Sequence, residues 1–379
     1  MSKAPQGAPI TIERGQIELY RLFDVAQEAR LADVERALRT HPSRTIEGSS
    51  AVRLRLVRQR NAVAFSDPPV IARLADRTIE LEGRERPVQV YAKVYDFGVM
   101  TILWVVPIET VTTLDALRQL SVALEESSFQ DRLGTWMRDD AEVAVEAMRA
   151  GLNRTRIDDA VETLTIYTIT RFTDPLLTAD AIAADPALTG LLLGEEVEFS
   201  AQLRAETHRA QFSYSDHDLA VVGFDQAFVY DRDGTTDVAV LLEFALAQVL
   251  ELAYYDRLLD RRLSEMHNRL DGGRAKVDYE QLRRKLLTDH LEITDVLEQV
   301  TSAVKVTEDF YYAQIYRAAM RVFRVDELVD ATQRKLDLIY RTYSMLSDEV
   351  ETRTSRRLEW TVIVLILIEV VLGIVDRIR

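Results

Sequence analysis

The pattern of apolar and polar positions changes character once along the chain, at the turn 231–234. Upstream of it, short segments that alternate or are dense in β-forming residues are interleaved with segments of helical spacing. The predicted strands lie at 16–23, 51–57, 78–81, 162–172, 211–214 and 219–230, and residues 88–107 are predicted to form a central hairpin or a bent strand pair. The predicted helices lie at 31–38, at 115–150, as one helix or two, and at 178–194. Residues 1–15 have no period and are predicted to form a flexible leader. We therefore expect a mixed α+β domain over residues 16–232.

Downstream of the turn, the apolar residues follow the spacing of three and four that is typical of amphipathic helices. This spacing extends over 235–270 and again from about 276 to 351, and Asp271, Gly272 and Gly273 between them suit a chain reversal. The pattern predicts a long antiparallel helical hairpin with coiled-coil character over residues 235–357. The fold class is thus α+β, with a helical extension.

Residues 358–379 form the most uniformly apolar segment and are predicted to be a C-terminal helix. The 16 residues from Trp360 to Val375 would span roughly 24 Å as a helix, against a hydrocarbon core of about 30 Å. Glu369 would cost roughly 2.5–3.5 kcal/mol near the bilayer centre, but about ten aliphatic residues at roughly −0.3 to −0.6 kcal/mol each outweigh it. The sum favours a membrane-inserted tail anchor, and the alternative is a buried helix in an oligomeric core.

The residues that flank the predicted anchor indicate its orientation. Trp360 lies where an interfacial aromatic residue is expected, and Arg353, Arg356 and Arg357 precede it on the side that should remain cytoplasmic. The first nine residues lack the apolar core of a secretory signal peptide. We therefore expect an inner or cytoplasmic membrane location, with the bulk of the chain on the cytoplasmic side and membrane lipid contacted through the C-terminal helix.

One row of the predicted anchor carries small and polar residues at a spacing of four: Thr361, Leu365, Glu369 and Gly373. Such a row favours helix association in lipid, because Glu369 requires a partner and Gly373 permits close approach. The row therefore predicts a homo-oligomer. The alternative is that Glu369 only sets the depth of a short, tilted or half-inserted helix.

Composition and motifs limit the kinds of binding and catalysis that the sequence supports. The 379 residues carry a formal net charge of −15 and no cysteine, so direct nucleic-acid binding is disfavoured and thiolate chemistry is excluded. The phosphate-binding patterns G-x-x-x-x-G-K and G-x-G-x-x-G and the nucleophile elbow G-x-S-x-G do not occur. The sequence thus indicates no catalytic residue, no cofactor and no metal ligand, and we expect a protein that is not an enzyme.

Three motifs together resemble a known family. They are Tyr95-Asp96-Phe97-Gly98-Val99, then Leu241-Leu242-Glu243-Phe244, and a C-terminal block in which Leu358-Glu359-Trp360 leads into Leu367-Ile368-Glu369-Val370. This combination is similar to the "required for meiotic nuclear division" family, over most of residues 90–375. The motif residues that carry this resemblance are Asp96, Gly98, Glu243 and Glu359.

That resemblance implies a membrane-associated protein without an assigned enzymatic activity. Eukaryotic relatives are mitochondrial inner-membrane proteins that support translation of organelle-encoded proteins as oligomeric anchors. The leader lacks the Arg-rich pattern of a transit peptide, which indicates a bacterial member.

Taken together, these features predict a homo-oligomeric, membrane-anchored scaffold or tether that presents its α+β domain to a protein partner that the sequence does not identify. By the resemblance, it would be linked to translation or to membrane-associated assembly. The alternative is an enzyme or small-molecule sensor with a site in the α+β domain, near Asp96 and Gly98. A deep polar pocket in that domain would favour the alternative.

Overall fold

The computed structural model describes residues 9–40, 52–53, 67–108, 110–271 and 309–378, with single residues and pairs between 284 and 307. For residues 52–53, 266–271, 343, 346–358 and 369–378 it describes the backbone only. The chain divides into two compact units, Met1–Ala253 with Ser302–Asp326 and Tyr254–Thr301 with Glu327–Arg379.

The first unit is built around a large mixed sheet. Its strands follow the order β11-β12-β13-β10-β1-β7-β6-β4-β3, with β5 added to β6 and β8 added to β1. All strand pairs are antiparallel except β10 with β13, which is parallel. A separate pair, β2 with β9, lies outside this sheet. The strands are β1 Thr11–Asp24, β2 Glu28–Ala29, β3 Val52–Arg53, β4 Val70–Arg73, β5 Arg77–Leu81, β6 Arg84–Val94, β7 Val99–Ile108, β8 Thr112–Thr113, β9 Leu152–Asn153, β10 Val161–Phe172, β11 Gln211–Phe212, β12 Asp218–Val222 and β13 Gln226–Asp231.

Helices of very different lengths connect and extend the strands. A 3₁₀ turn also covers Arg149–Gly151. The helices are α1 Leu31–Thr40, α2 Leu114–Glu125, α3 Ser127–Met148, α4 Ala179–Ala183, α5 Pro186–Leu193, α6 Ala201–Thr207, α7 Asp237–Asp271, α8 Phe310–Val322 and α9 Val325–Ile378.

Strand β1 is central because both of its edges are paired and both of its faces are buried. It pairs with β10 on one side and β7 on the other, so that Ile17 lies between Tyr167 and Val106. Successive side chains point to opposite faces of the sheet. Ile17 and Leu19 belong to the core that the sheet forms with α1 to α5. Glu18, which lies between them, points to the opposite face.

That opposite face is covered by the first part of α7, up to Ala253, and by α8. Glu243 of α7 contacts Lys93 of β6, and the ring of Phe244 lies 5.9 Å from that of Tyr95. The Tyr316 hydroxyl of α8 donates to Gln248 at 2.8 Å. The sheet is therefore the middle of three layers.

In the second unit, the later part of α7 contacts α9. The Lys335 ammonium lies 2.7 Å from carboxylate oxygens of both Asp256 and Asp260. Leu259, Leu336 and Ile339 are buried. The Lys335 ion pairs therefore define one contact between the two helices.

The predicted α+β class and most predicted elements of the sheet region are confirmed, with four corrections. The predicted strand 219–230 is two antiparallel strands, β12 and β13, because the chain reverses in a turn closed by Gly223 and Gln226. Strand β1 begins at Thr11, inside the predicted leader 1–15, because Ile12 is buried and pairs with Thr112. The predicted helix 178–194 is two helices, since Asp185 caps a new helix that Pro186 begins. The predicted second helical region, 276–351, is interrupted at 323–324, where α8 ends and Arg324 adopts a φ of 58°.

Other predicted features lie outside the described residues or were missed. The chain reversal at Gly272 and Gly273 and most of the strand 51–57 are outside them. Strand β4 and helix α6 were not predicted, because β4 is only 4 residues long and α6 has no buried residue. The unit that holds the sheet also includes the first part of α7 and all of α8, which the pattern assigns to the helical region.

Candidate functional site

Two of the motif residues lie in the tight turn between β6 and β7. The Gly98 N–H donates to the Tyr95 carbonyl at 3.1 Å, which places Asp96 and Phe97 at the tip. The Asp96 carbonyl accepts the Ala29 N–H at 2.7 Å. Burial, followed by the charge of Asp67, raises the pKa of the Asp96 carboxyl. The turn is thus hydrogen-bonded through its backbone to the segment that follows β1.

Gly98 fits this turn for two reasons. Its φ of +86° lies in the left-handed region, which favours glycine. A Cβ at this position would lie 2.0 Å from the Ala26 carbonyl oxygen. The Gly98 carbonyl accepts the N–H groups of both Val25 and Ala26. The aromatic-Asp-aromatic-Gly motif is therefore explained by packing and backbone geometry.

Glu243, the motif residue of α7, forms a buried ion pair with Lys93. The Lys93 and Glu243 side chains are 8% and 1% exposed. The Lys93 ammonium also lies 5.8 Å from the centre of the Tyr20 ring. Burying both charges is costly unless each remains paired, so this contact fixes the position of α7 on the sheet.

A second buried carboxylate continues this polar layer along the sheet. Glu18 accepts hydrogen bonds from the side chains of Gln16, Tyr20 and Thr168. Burial raises the pKa of the Tyr20 hydroxyl, and the charges of Glu18 and Glu243 raise it further. Except for the half-buried Gln16, the polar side chains of this layer are buried, so the layer serves packing.

Glu251 lies two helical turns beyond Glu243 and is 8% exposed. Burial raises the pKa of its carboxyl to about 8, and the charges of Asp96 and Asp24 contribute. Asp24 itself is paired with Arg156. Glu251 is therefore largely protonated at neutral pH.

The predicted anchor residues lie on α9. Trp360 is 67% exposed and Leu365 is 60% exposed, and Glu359 is exposed as well. Thr361 is also exposed in this helix. The backbone at Glu369 and Gly373 is helical, while their side chains lie outside the described part of the chain. The motif residues therefore fall into two groups, one in each unit.

A cavity of about 770 Å³ lies at one end of the first unit, away from the motif residues. It is formed by the ends of α2 and α5, by α6, by the β12–β13 turn and by α8. Its lining is about half apolar, and the apolar side chains include Leu192, Leu203, Phe212, Phe224 and Val322. Phe224 is 59% exposed. This volume lies within the range of small-molecule sites.

Two carboxylate residues of this cavity, Glu125 and Asp225, are neighbours, and both are exposed. The buried side chain of Gln226 donates to Glu125 at 2.9 Å and accepts from Ser121 at 3.3 Å. Burial raises the pKa of the Glu125 carboxyl, and the charge of the neighbouring Asp225 raises it further. Burial likewise raises the pKa of the Asp225 carboxyl.

Sequence reasoning missed this cavity. Glu125 ends α2 and Asp225 lies in the β12–β13 turn, 100 positions later. They meet because the parallel pairing of β10 with β13 brings that turn beside α2. In the part of the chain that the structure describes, no group of three or more His, Asp or Glu side chains is placed to hold a metal ion.

Among the described residues, one helical segment is long and apolar enough to cross a membrane, Asp237–Glu265 of α7. However, 89% of that segment's most apolar stretch is buried inside the protein. A core helix meets the same criterion, and the contacts of α7 with the sheet identify it as one. A shorter apolar segment, Glu359–Ile368, lies in α9.

Comparison with known proteins places the sheet-containing region in a family. Residues 14–237 match the family described as "Uncharacterized protein MJ0711, N-terminal domain". The uncharacterized protein MJ0711 of Methanocaldococcus jannaschii is 23% identical over 229 residues, which cover 59% of this chain and 69% of that protein. The family match ends at residue 237, before Glu243 and the C-terminal block, so the resemblance to the "required for meiotic nuclear division" family stays a prediction. The chain belongs to the family of the MJ0711 N-terminal domain.

Proposed function

We propose that the protein is a membrane-anchored scaffold, in which the end of α9 inserts into lipid and the sheet-containing unit presents a binding surface. The observation that carries this proposal is the exposure of the apolar segment Glu359–Ile368. From Val362 to Ile368, seven consecutive aliphatic side chains are between 48% and 62% exposed. Exposed apolar area of this extent is costly in water.

The distribution of these side chains favours lipid over a protein partner. Successive residues of a helix point about 100° apart, so seven in a row surround the helix axis. A helix that packs in a coiled coil needs only one apolar stripe, whereas a lipid-embedded helix is apolar on all sides. The backbone of α9 remains helical to Ile378, so its polar groups are paired internally, as the bilayer requires.

The scaffold proposal includes a helical hairpin that links the sheet to the membrane. The contacts of Lys335 with Asp256 and Asp260 support pairing of α7 with α9. The arginines at 353, 356 and 357 precede the apolar segment and favour a cytoplasmic side for the rest of the chain. By the family resemblance, the tethered partner would belong to translation or to membrane-associated assembly.

Membrane binding is tested by flotation of the full chain with neutral phosphatidylcholine vesicles, after removal of the purification detergent. Leu367→Asp places a charge near the centre of the apolar segment, at a cost of about 3 kcal/mol, so it should lower the vesicle-bound fraction relative to free protein about a hundredfold. Leu338→Asp is the matched control. Leu338 lies on the same helix and is 52% exposed, and its substitution should leave flotation unchanged.

Neutral lipid is used because a net charge of −15 would repel anionic head groups. A wild-type chain that remains at the bottom of the gradient would contradict the anchor. The same conclusion would follow if both aspartate variants floated as well as the wild type.

Self-association is a separate prediction. Glu369→Leu should shift the detergent-solubilised protein to a smaller oligomer in sedimentation velocity, because it removes the polar group that seeks a partner in lipid. Leu367→Ile, off the Thr361-Leu365-Glu369-Gly373 row, serves as the control. An unchanged oligomer in the Glu369 variant would leave depth-setting as the role of this residue.

A further inference from the structure

A second cavity, of about 250 Å³, lies between α3 and the part of the sheet that β1 and β10 form. Its lining includes Arg21 of β1, Thr163 and Thr165 of β10, and Gln130 and Leu133 of α3. The Gln130 side-chain nitrogen already donates to the Leu124 carbonyl at 2.8 Å. The cation and the two hydroxyl groups of this lining are therefore the donors to account for.

Arg21 is half-buried, on the same face of β1 as the core residue Leu19. Its guanidinium forms no hydrogen bond and no ion pair with any described residue. Burial lowers its pKa, and the charge of Arg138 lowers it further, whereas no described carboxylate raises it. Arg138 is paired with Asp159, whose side chain is 98% exposed. Because a partly desolvated guanidinium favours an acceptor, this end of the cavity is suited to an anionic group.

Helix α3 approaches Arg21 closely at Gly134. A Cβ at Gly134 would lie 3.1 Å and 3.2 Å from the two terminal nitrogens of Arg21. Glycine is unfavourable in the interior of a helix, but at this position it leaves room for the guanidinium against the helix. The position of the guanidinium is thus limited by the sheet on one side and by α3 on the other.

Thr165 provides an independent observation. In the antiparallel pairing of β1 with β10, Thr163 lies opposite Arg21 and Thr165 lies opposite Leu19, so both threonine side chains share the face of the guanidinium. Thr165 is only 8% exposed and lines the cavity, and its hydroxyl has no hydrogen-bond partner in the part of the chain that the structure describes. Buried hydroxyl groups nearly always have a partner. One wall therefore carries an unpaired guanidinium and an unpaired hydroxyl.

We propose that this cavity binds a small molecule with one carboxylate, whose oxygens accept hydrogen bonds from the Arg21 guanidinium and the Thr165 hydroxyl. A guanidinium can donate two parallel hydrogen bonds to one carboxylate. Glu125 and Asp225 also line the cavity, so a second negative charge on the ligand would be repelled. The volume lies just below the range of about 300–1,000 Å³ that is typical of ligand pockets, so the ligand is small. This inference is independent of the membrane anchor.

The test is isothermal titration calorimetry of the full chain in neutral detergent, with butyrate, butyramide, succinate and inorganic phosphate as ligands. Butyrate and butyramide have nearly the same shape, but only butyrate is charged. Butyrate should bind at least about tenfold more tightly than butyramide, because charge-assisted hydrogen bonds form only with the anion. Succinate and phosphate should bind more weakly than butyrate, since each carries more negative charge.

Variants of two arginines on β1 locate the site. Arg21→Met should weaken butyrate binding at least about tenfold. Arg21→Lys should weaken it less, because lysine keeps the charge but loses the paired hydrogen bonds. Arg14→Met is the matched control. Arg14 lies on the same strand and is exposed, and its substitution makes the same change in net charge outside the cavity lining, so butyrate affinity should stay unchanged.

Thr165→Val removes the hydroxyl and keeps the shape of the side chain. It should weaken butyrate binding about threefold or more. It should not lower the midpoint of thermal unfolding, because the hydroxyl has no partner in the protein to lose. An unchanged butyrate affinity in this variant would overturn the proposed position of the carboxylate.

The proposal is overturned if butyramide binds as tightly as butyrate, if succinate or phosphate binds more tightly, or if Arg14→Met weakens binding as much as Arg21→Met. It is also overturned if none of butyrate, 3-hydroxybutyrate and benzoate binds with a dissociation constant below about 10 mM. Thermal unfolding of each variant shows whether it is folded. Should Arg21→Met fail to fold, the comparison of the four ligands on the wild-type chain still decides the outcome.

Discussion

Replacing Glu243 with leucine should lower the free energy of unfolding by about 3–5 kcal/mol, which is the usual cost of leaving one member of a buried ion pair without its partner. Lys93 would then remain 8% exposed with no opposite charge beside it. Urea denaturation followed by tryptophan fluorescence measures this loss, because Trp104 is a buried core residue of the same sheet and stacks against Trp136.

The double variant Lys93→Met with Glu243→Leu separates pairing from packing. It should recover most of the lost stability, since apolar replacement of both partners is often neutral or stabilising. The surface pair Glu146 with Arg149, whose side chains are 69% and 68% exposed, provides a reference. Glu146→Leu should cost at most about 1 kcal/mol. If the double variant loses as much as the Glu243 variant, the two charges are not coupled.

Glu251→Gln should stabilise the protein at alkaline pH and leave it unchanged near pH 4.5. The Glu251 carboxyl has an ordinary pKa of 4.5 when unfolded, and burial raises it to about 8 in the fold. Between these two values the folded state binds the extra proton, so stability falls as pH rises, and the loss is complete above pH 8. The full difference corresponds to about 5 kcal/mol. Glutamine mimics the protonated acid and does not titrate.

The measurement is a series of urea denaturation curves between pH 5 and pH 9 for the wild type, Glu251→Gln and Glu142→Gln. Glu142 is exposed, so its variant should follow the wild type at every pH. The Glu251 variant should diverge progressively with pH. Parallel curves for all three proteins would show that Glu251 is already ionised in the fold.

Local patterns in the sequence predict the sheet well, because its strands carry their own signals. Alternation marked the long strands β1 and β10, and the dense run around Gly98 marked the β6–β7 hairpin. The short strand β4 and the solvated helix α6 have too few buried residues to produce a periodic signal. The end of α8 at Arg324 also has no sequence signal. The helix is interrupted by the left-handed backbone of Arg324, and no glycine or proline lies at this position.

The buried ion pair and the cavity carboxylates are formed by residues far apart in the sequence, so local sequence patterns do not predict them. Lys93 and Glu243 are 150 positions apart, and Glu243 was singled out only through a family resemblance. Nothing nearby in the sequence distinguishes Glu125 or Asp225 from other surface acids. Such pairs meet only through the packing of helices and strands that are distant in the sequence, because Glu243 and Glu125 lie on helices.

The position of β1 in the sheet also sets the order in which the protein can assemble as it leaves the ribosome. Ile17 pairs with Val106 and Tyr167, so the centre of the sheet cannot close until β10 has been synthesised. Such non-local pairing is slow, and it leaves an apolar strand exposed to aggregation in the meantime. Because α9 follows all the strands, the sheet can be complete before the apolar end of α9 is synthesised. The unpaired strand β1 and the apolar end of α9 are then not exposed at the same time, so they cannot aggregate with each other.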